Sequence, residues 1–311
     1  MEKDEKIFVA GHRGLVGSAI VRKLSAEGFT NLLTRSRAEV DLANARAVQD
    51  FFRAERPDVV IMAAAKVGGI KANNDWPVEF LLENLQIQNS VISAAHEQGV
   101  RKLLFLGSSC IYPKFAPQPI AEDALLGGPL EPTNQAYAIA KLAGIELCQS
   151  YAREYGANFI SAMPTNFYGP NDNFDLVTSH VLAALLRKAH EAKISGAREI
   201  VVWGSGKSRR EFLYVDDLAA ACIFLLQKYD DPKIINVGTG EDVSIRELVE
   251  LICEIVGFEG ELAWDANKPD GTPRKLLDIS KIRRLGWSPS IPLREGIART
   301  YEWFLKNEAR S

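Results

Sequence analysis

Cysteine is scarce in this chain. Cys110, Cys148, Cys222 and Cys253 are scattered over 311 positions with no CxxC pair. That spacing argues against a disulfide framework and against a zinc ligand set, so no metal site is expected and a reducing compartment, the cytosol, fits best. An excess of one charge is lacking too. The 37 Lys and Arg against 40 Asp and Glu leave a net charge of −3, so there is no broad basic field for nucleic acid. The short basic runs, Lys207 to Arg210 and Ile282-Arg283-Arg284, read as solvated faces. No window approaches the ~18–20 continuous apolar residues of a membrane span. The N-terminal Met-Glu-Lys-Asp-Glu-Lys passes directly into Ile7-Phe8-Val9-Ala10, with no apolar stretch of the secretory kind.

What is present is an ordinary globular composition, 47% hydrophobic, with alternating strand and helix patterns. Strands are expected at 6–10, 31–34, 58–63, 102–107 and 158–163. Helices are expected between them at 15–27, 43–55, 78–98 and 136–155. Continuous apolar strands alternating with helices predict a parallel sheet covered on both faces, an α/β doubly wound fold of Rossmann type. After Pro164 the regularity breaks. A helix over 180–192, a strand over 200–203, a helix over 215–228 and a strand over 234–237 follow, the last pair returning to the main sheet. Ser244 with Glu247 three residues later predicts a capping box opening a helix over 244–256. The expected organisation is a dinucleotide-binding domain over 1–165, with 213–240 returning to it, and a smaller interleaved α/β substrate lobe over 166–212 and 241–311.

Strand 7–10 leads into Gly11-His12-Arg13-Gly14-Leu15-Val16-Gly17, which opens a helix. Three glycines in this context allow a tight turn, close approach of a pyrophosphate and close helix–strand packing. The second strand ends in Thr34-Arg35-Ser36-Arg37, where an NAD enzyme places an acidic residue for the ribose hydroxyl. Arg35, Arg37 and Arg13 instead suit a 2′-phosphate, which predicts NADP, with Asp41 near the adenine amine. Tyr137 and Lys141 form a YxxxK pair on one helix face, and an ammonium beside a phenol is expected to lower its proton affinity. The helix follows a strand ending Leu106-Gly107-Ser108-Ser109-Cys110, at the sheet edge where ligands bind.

These residues resemble the extended short-chain dehydrogenase/reductase family. Within it the resemblance is to the branch acting on GDP-4-keto-6-deoxy-D-mannose. It is carried by GHRGLVGSAI at 11–20, AAAKVGGI at 63–70, LLFLGSSCIYPK at 103–114, EPTNQAYAIAK at 131–141, MPTNFYGPNDNF at 163–174, REFLYVDD at 210–217 and KPDGTPRKLLD at 268–278. The resemblance implies a bifunctional enzyme that epimerises the sugar at C3 and C5 and then reduces its C4 ketone with NADPH. It implies Ser108, Tyr137 and Lys141 as the reductase triad, and Cys110 and His180 as the epimerase acid/base pair. Gly11, Arg13, Gly14, Leu15, Val16, Gly17, Arg35, Arg37, Asp41, Ala63, Ala64, Ala65, Lys66, Lys141, Pro164, Asn166, Phe167 and His180 would hold the cofactor. Asn166, Lys188, Trp203, Arg210 and Asp278 would hold the substrate. A homodimer through the helices over 78–98 and 136–155 is implied as well. Asp175-Leu176 and Ser208-Arg209 depart from the family pattern in substrate-side loops.

His180 is expected to follow a Thr178-Ser179 cap at a cleft-facing helix start, where the helix dipole helps keep the ring neutral. His12 sits in the phosphate loop, His96 in an ordinary helical pattern, and His190 reads as a solvent-facing turn residue. Cys148 and Cys253 lie inside amphipathic helix patterns and read as core. Two alternatives remain: another nucleotide-sugar epimerase or reductase of the same family, and a non-catalytic NADP-binding module, whose mark would be a lost triad.

Overall fold

The computed structural model describes residues 1–268 and 271–307. Pro269 and Asp270 of the 268–278 stretch, and the last four residues of the expected substrate lobe, lie outside the described residues. The first half runs β1 (Ile7–Ala10), α1 (Leu15–Ala26), β2 (Leu32–Leu33), α2 (Ala45–Glu55), β3 (Val59–Met62), α3 (Ile70–Asp75), α4 (Pro77–Glu97), β4 (Lys102–Leu106), α5 (Gln135–Tyr155) and β5 (Phe159–Pro164). The second half runs β6 (Asn166–Tyr168), α6 (Val181–Ser195), β7 (Glu199–Trp203), β8 (Arg209–Arg210), β9 (Phe212–Tyr214), α7 (Val215–Lys228) and β10 (Ile235–Val237). It continues through β11 (Val243–Ser244), α8 (Ile245–Val256), β12 (Glu261–Asp265), β13 (Arg274–Lys275), α9 (Ser280–Arg284) and α10 (Leu293–Asn307).

Six strands form one parallel sheet in the order β10-β5-β4-β3-β1-β2. Every residue of β1, β3, β4 and β5 is buried, as their uninterrupted apolar runs require of strands covered by helices on both faces. The order reverses beside β1, so the loops after β1 and β3 diverge and open a crevice at the carboxyl edge. β10 pairs with β5, placing the 234–237 run on the main sheet as its pattern predicts. A second apolar cluster gathers Tyr168, Phe174, Leu186, Leu248, Ile252 and Phe304 from α6, α8, α10 and the small strands. β7 pairs with β12, and its residues alternate exposed and buried, as a strand covered on one face should.

Local signals account for several boundaries. Asn44 caps α2 by accepting from Arg46 and Ala47 N–H at 3.1 and 3.2 Å. Ser244 and Glu247 close a reciprocal capping box on α8. Cys148 and Cys253 are core residues. His190 is not on a solvent-facing turn, as its sequence context suggests. It is buried inside α6, with Nδ1 3.0 Å from the Tyr301 hydroxyl, because α10 folds back over that face. The basic run 207–210 is not a plain solvated face either. Arg209 pairs with Asp242 at 2.7 Å and donates to its carbonyl at 2.9 Å.

One buried carboxylate joins the two halves. Glu211, between β8 and β9, is fully buried. Its Oε1 accepts the Thr239 and Gly240 N–H groups at 2.6 and 2.7 Å, and its Oε2 accepts the Leu277 N–H at 3.0 Å. Its backbone carbonyl accepts the Asn166 amide at 2.9 Å. Gly238 leaves the space for it, since a Cβ there would collide with the carboxylate. Glu211→Ala would strand three backbone donors, and a loss on the order of 3–5 kcal/mol is expected. A shift of the urea midpoint measures it, and Glu211→Gln, which keeps one carbonyl acceptor, should fall between.

Candidate active site

The crevice begins at the loop after β1. Gly11 has φ 82°, and a Cβ there would lie 2.8 Å from the Ala64 backbone. A Cβ on Gly17 would overlap the Gly11 carbonyl, so that glycine lets α1 seat against the loop. Gly14 is different: a Cβ there would meet only the Gly11 carbonyl, at 3.5 Å. Packing therefore explains Gly11 and Gly17 but leaves Gly14 bare toward the crevice. No side chain caps α1 at Gly14, and its first turn holds no acidic residue. A helix start left open in this way fits a diphosphate.

The other cofactor candidates surround this loop. Ala63 to Lys66 leave β3, with the Ala63 N–H donating to the Ala10 carbonyl at 3.1 Å. Asn84 fixes the Lys66 backbone N–H at 2.9 Å. Arg13 and Arg37 are exposed. Arg37 reaches Glu83 at 2.8 Å and Asp41 at 3.7 Å, while Asp41 also accepts the Ala43 N–H at 3.1 Å. Arg35 does not present a free fork. It bonds the Thr34 carbonyl at 2.8 Å and Glu55 at 2.6 Å, with its guanidinium 5.7 Å from the Phe51 ring.

Past β4 the chain turns at once into a short helical turn over Ser109–Ile111. Ser108 caps it, accepting the Cys110 N–H at 3.3 Å. The Ser108 hydroxyl is also the hydrogen-bond neighbour of the Tyr137 phenol and of the Cys110 thiol. Tyr137 and Lys141 lie one turn apart on α5, as the YxxxK spacing requires. Lys141 is buried, donates to the Leu106 carbonyl at 2.8 Å, and stands 5.8 Å from the Tyr137 ring centre. The expectation that Lys141 lowers the Tyr137 proton affinity is corrected here. Burial raises it instead, with Cys110 adding to the rise, because desolvation of a phenolate outweighs an ammonium committed to a carbonyl. Burial also pushes the Lys141 ammonium down to about 8. Tyr137 is thus held as the neutral phenol, the form that gives up a proton.

Cys110 is buried, and desolvation raises its thiol, opposed by Lys275, Ser108 and Lys141. His180 is the residue preceding α6, with no side-chain cap of its own. The Thr178-Ser179 cap expected from sequence does not form. The Thr178 hydroxyl donates to Asp175 at 2.9 Å, and the Ser179 hydroxyl is buried without a partner. Asp175 shapes this loop by accepting the Val177 and Thr178 N–H groups at 3.0 and 2.9 Å. The Thr178 carbonyl in turn accepts the Gly69 N–H at 2.8 Å, tying the loop to the start of α3. His180 keeps an exposed surface, yet partial desolvation and then Lys275 lower its proton affinity, which favours the neutral ring.

The substrate candidates lie farther out. Lys188 and Lys268 stand 5.4 and 5.2 Å from the ring of half-exposed Trp203, an aromatic plate within reach of two cations. Arg210 donates to the Arg209 carbonyl at 2.8 Å, and Asn166 donates to Glu211. The Asp278 carboxylate accepts the Ser280 N–H at 2.8 Å at the start of α9.

A family model described as the NAD dependent epimerase/dehydratase family matches residues 7–238. The chain belongs to this family. Among its relatives is GDP-L-fucose synthase 1 of Arabidopsis thaliana, 62% identical over 98% of this chain and 95% of that protein. A GDP-6-OMe-4-keto-L-xylo-heptose reductase from C. jejuni superposes with a TM-score of 0.95 at 39% identity, over 99% of each chain. A GDP-L-fucose synthetase from Naegleria fowleri, solved bound to NADP, superposes with a TM-score of 0.92 at 32% identity, over 100% of this chain and 98% of that one.

Two residues of this family member escape a motif reading. Glu211 sits inside the REF run but looks like any surface acid until its burial is known. Lys275 looks like one basic residue among several until the fold turns it toward Cys110. For the phosphate loop, Gly14→Ala should leave the thermal melting point nearly unchanged while weakening NADPH affinity tenfold or more. Gly17→Ala should lower the melting point by several degrees, since about 1 kcal/mol corresponds to roughly 2–4 °C at this size. Calorimetry and NADPH titration together separate the two.

Proposed function

We propose that this chain converts GDP-4-keto-6-deoxy-D-mannose to GDP-L-fucose, by epimerising the sugar at C3 and C5 and then reducing its C4 ketone with NADPH. The observation that carries this reading is the shared Ser108 hydroxyl, which faces the Tyr137 phenol and the Cys110 thiol at once. One oxygen-binding position can then serve both reactions.

NADPH supplies a hydride to C4 when bound, held by the loop Gly11 to Gly17, by Ala63 to Lys66, and by Pro164, Asn166 and Phe167. Arg13 and Arg37 are the exposed guanidinium groups for its 2′-phosphate. During epimerisation Cys110 and His180 remove and return protons on opposite faces of the sugar. Ser108 and Tyr137 hydrogen-bond the oxygen that gains charge as the proton leaves carbon. In reduction Tyr137, kept protonated by its burial, gives its proton to the forming C4 hydroxyl. Lys141 holds its charge behind the Tyr137 ring, and Lys188, Trp203 and Arg210 receive the GDP. Residues 1–165 with 213–240 form the cofactor-binding part, and 166–212 with 241–311 the substrate part.

We assign the protein to the cytosol, and among its described residues no helix is long and apolar enough to cross a membrane. A homodimer through α4 and α5 is part of the same proposal, and these two long helices pack side by side on one flank of the sheet.

The test is product stereochemistry in deuterated water. The wild type should yield GDP-L-fucose labelled at C3 and C5. Cys110→Ser and His180→Asn together should still consume NADPH but give a C4-reduced sugar of unchanged C3 and C5 configuration. Tyr137→Phe should lose NADPH oxidation by about 10²-fold or more while still binding NADPH. Fully epimerised, doubly labelled product from the Cys110 and His180 double variant would overturn the acid/base assignment.

A further inference from the structure

Cys110 and His180 share one charged neighbour, Lys275. It comes from β13, which pairs in parallel with β8 so that Lys275 stands opposite Arg210. The strand is anchored just beyond: the Leu277 N–H is held by Glu211 at 3.0 Å, and Leu277 bridges to Ile120. Lys275 lines the same cavity as Cys110, together with Ser109, Tyr112 and Thr272. Among the described residues the only carboxylate lining that cavity is Glu131, and Lys114 pairs with it at 2.8 Å. Among the described residues Lys275 has no ion-pair partner of its own. An ammonium anchored beside a buried thiol, with the nearby carboxylate already taken, has an unmet need for a negative charge.

We propose that Lys275 is a positioning residue whose ammonium is the counter-charge of the Cys110 thiolate. Its place in the reaction rests on the epimerase-reductase reading above. Neutral His180 takes the proton of the sugar C–H, and the electron pair of that bond moves into the ketone to form an enolate. The Cys110 thiol returns a proton to the same carbon from the other face. One proton has passed from thiol to imidazole, and exchange with solvent resets both. The cation that lines the cavity with Cys110 stabilises the thiolate left behind and so makes the thiol a better donor. The groups bearing on Cys110 are Ser108 beside it, Tyr137 and Lys141 from α5, and Lys275 from β13. Those bearing on Lys275 are Cys110, Arg210 and Glu131, and on His180 the charge is that of Lys275.

The test reads the thiol directly. Cys110 alkylation by iodoacetamide is followed against pH in the full-length protein without substrate, and the modified peptide is resolved by mass spectrometry with Cys110→Ser as the blank. In Lys275→Met the pH of half-maximal alkylation should rise by about one unit or more, the usual scale for removing a neighbouring opposite charge. Lys275→Arg, which keeps the charge, should return it most of the way. With GDP-4-keto-6-deoxy-D-mannose in deuterated water, label uptake at C3 and C5 should fall about tenfold or more in Lys275→Met, on the scale of a lost acid/base group. NADPH affinity should not change. An unmoved alkylation profile in a Lys275→Met protein with wild-type circular dichroism and melting overturns the proposal, as does failure of Lys275→Arg to restore it. If Lys275→Met does not fold, Lys275→Gln is read in its place by the same criteria. A wild type that shows the Lys275-dependent thiol profile but takes up no label would leave the counter-charge standing and defeat the epimerase reading instead.

Discussion

The site depends on the burial of Glu211. A carboxylate removed from water is costly unless its lone pairs are met, and here backbone N–H groups from two separate loops meet them. That requirement draws the turn after β10 and the segment after β13 to one point. Arg210 precedes the carboxylate in sequence, Lys275 lies two residues before one of its donors, and Asn166 bonds its carbonyl. Burial still raises the carboxyl, with the backbone donors opposing. The small strands β8, β11 and β13 have two residues each and could not hold a position by ladder bonds alone. Their placement follows from this polar node.

The crevice itself is governed by desolvation. It raises Tyr137 and Cys110 and lowers Lys141, His180 and Lys275, so every group drifts toward its neutral form. A neutral phenol is ready to donate, and a neutral imidazole is ready to accept. A neutral thiol of raised proton affinity is the exception, since it gives up its proton poorly. The cations around Cys110 oppose desolvation there, and they do so because their own carboxylate partners are few. The chemistry of the pocket is therefore set by which ammonium groups, among the described residues, are left without an acid, and that is a property of packing rather than of any motif.

Much of this was legible in the residues. Uninterrupted apolar runs named the buried strands of a parallel sheet, because a strand covered on both faces has no polar side to show. The glycine loop, YxxxK and the Ser108 to Cys110 run were legible because each places its groups within one turn or one strand end. Ser244 with Glu247 announced a helix start by local hydrogen bonding alone. Contacts that cross the chain were not legible. His190 is buried only because α10, some hundred residues later, closes over it. Arg35 is committed to Glu55 because the end of α2 reaches it, and Tyr137 is raised rather than lowered because the fold desolvates its phenol. The small strands after residue 204 are too short to carry a period of two.

The sequence by itself determined the sheet, the phosphate loop and the set of reactive side chains, since each rests on periodicity or on spacing within a few residues. Only the tertiary structure decided their protonation and which charges stand beside them. Those depend on burial and on distances between residues far apart in the chain, and one buried carboxylate, Glu211, brings the strands carrying Arg210 and Lys275 to the same crevice.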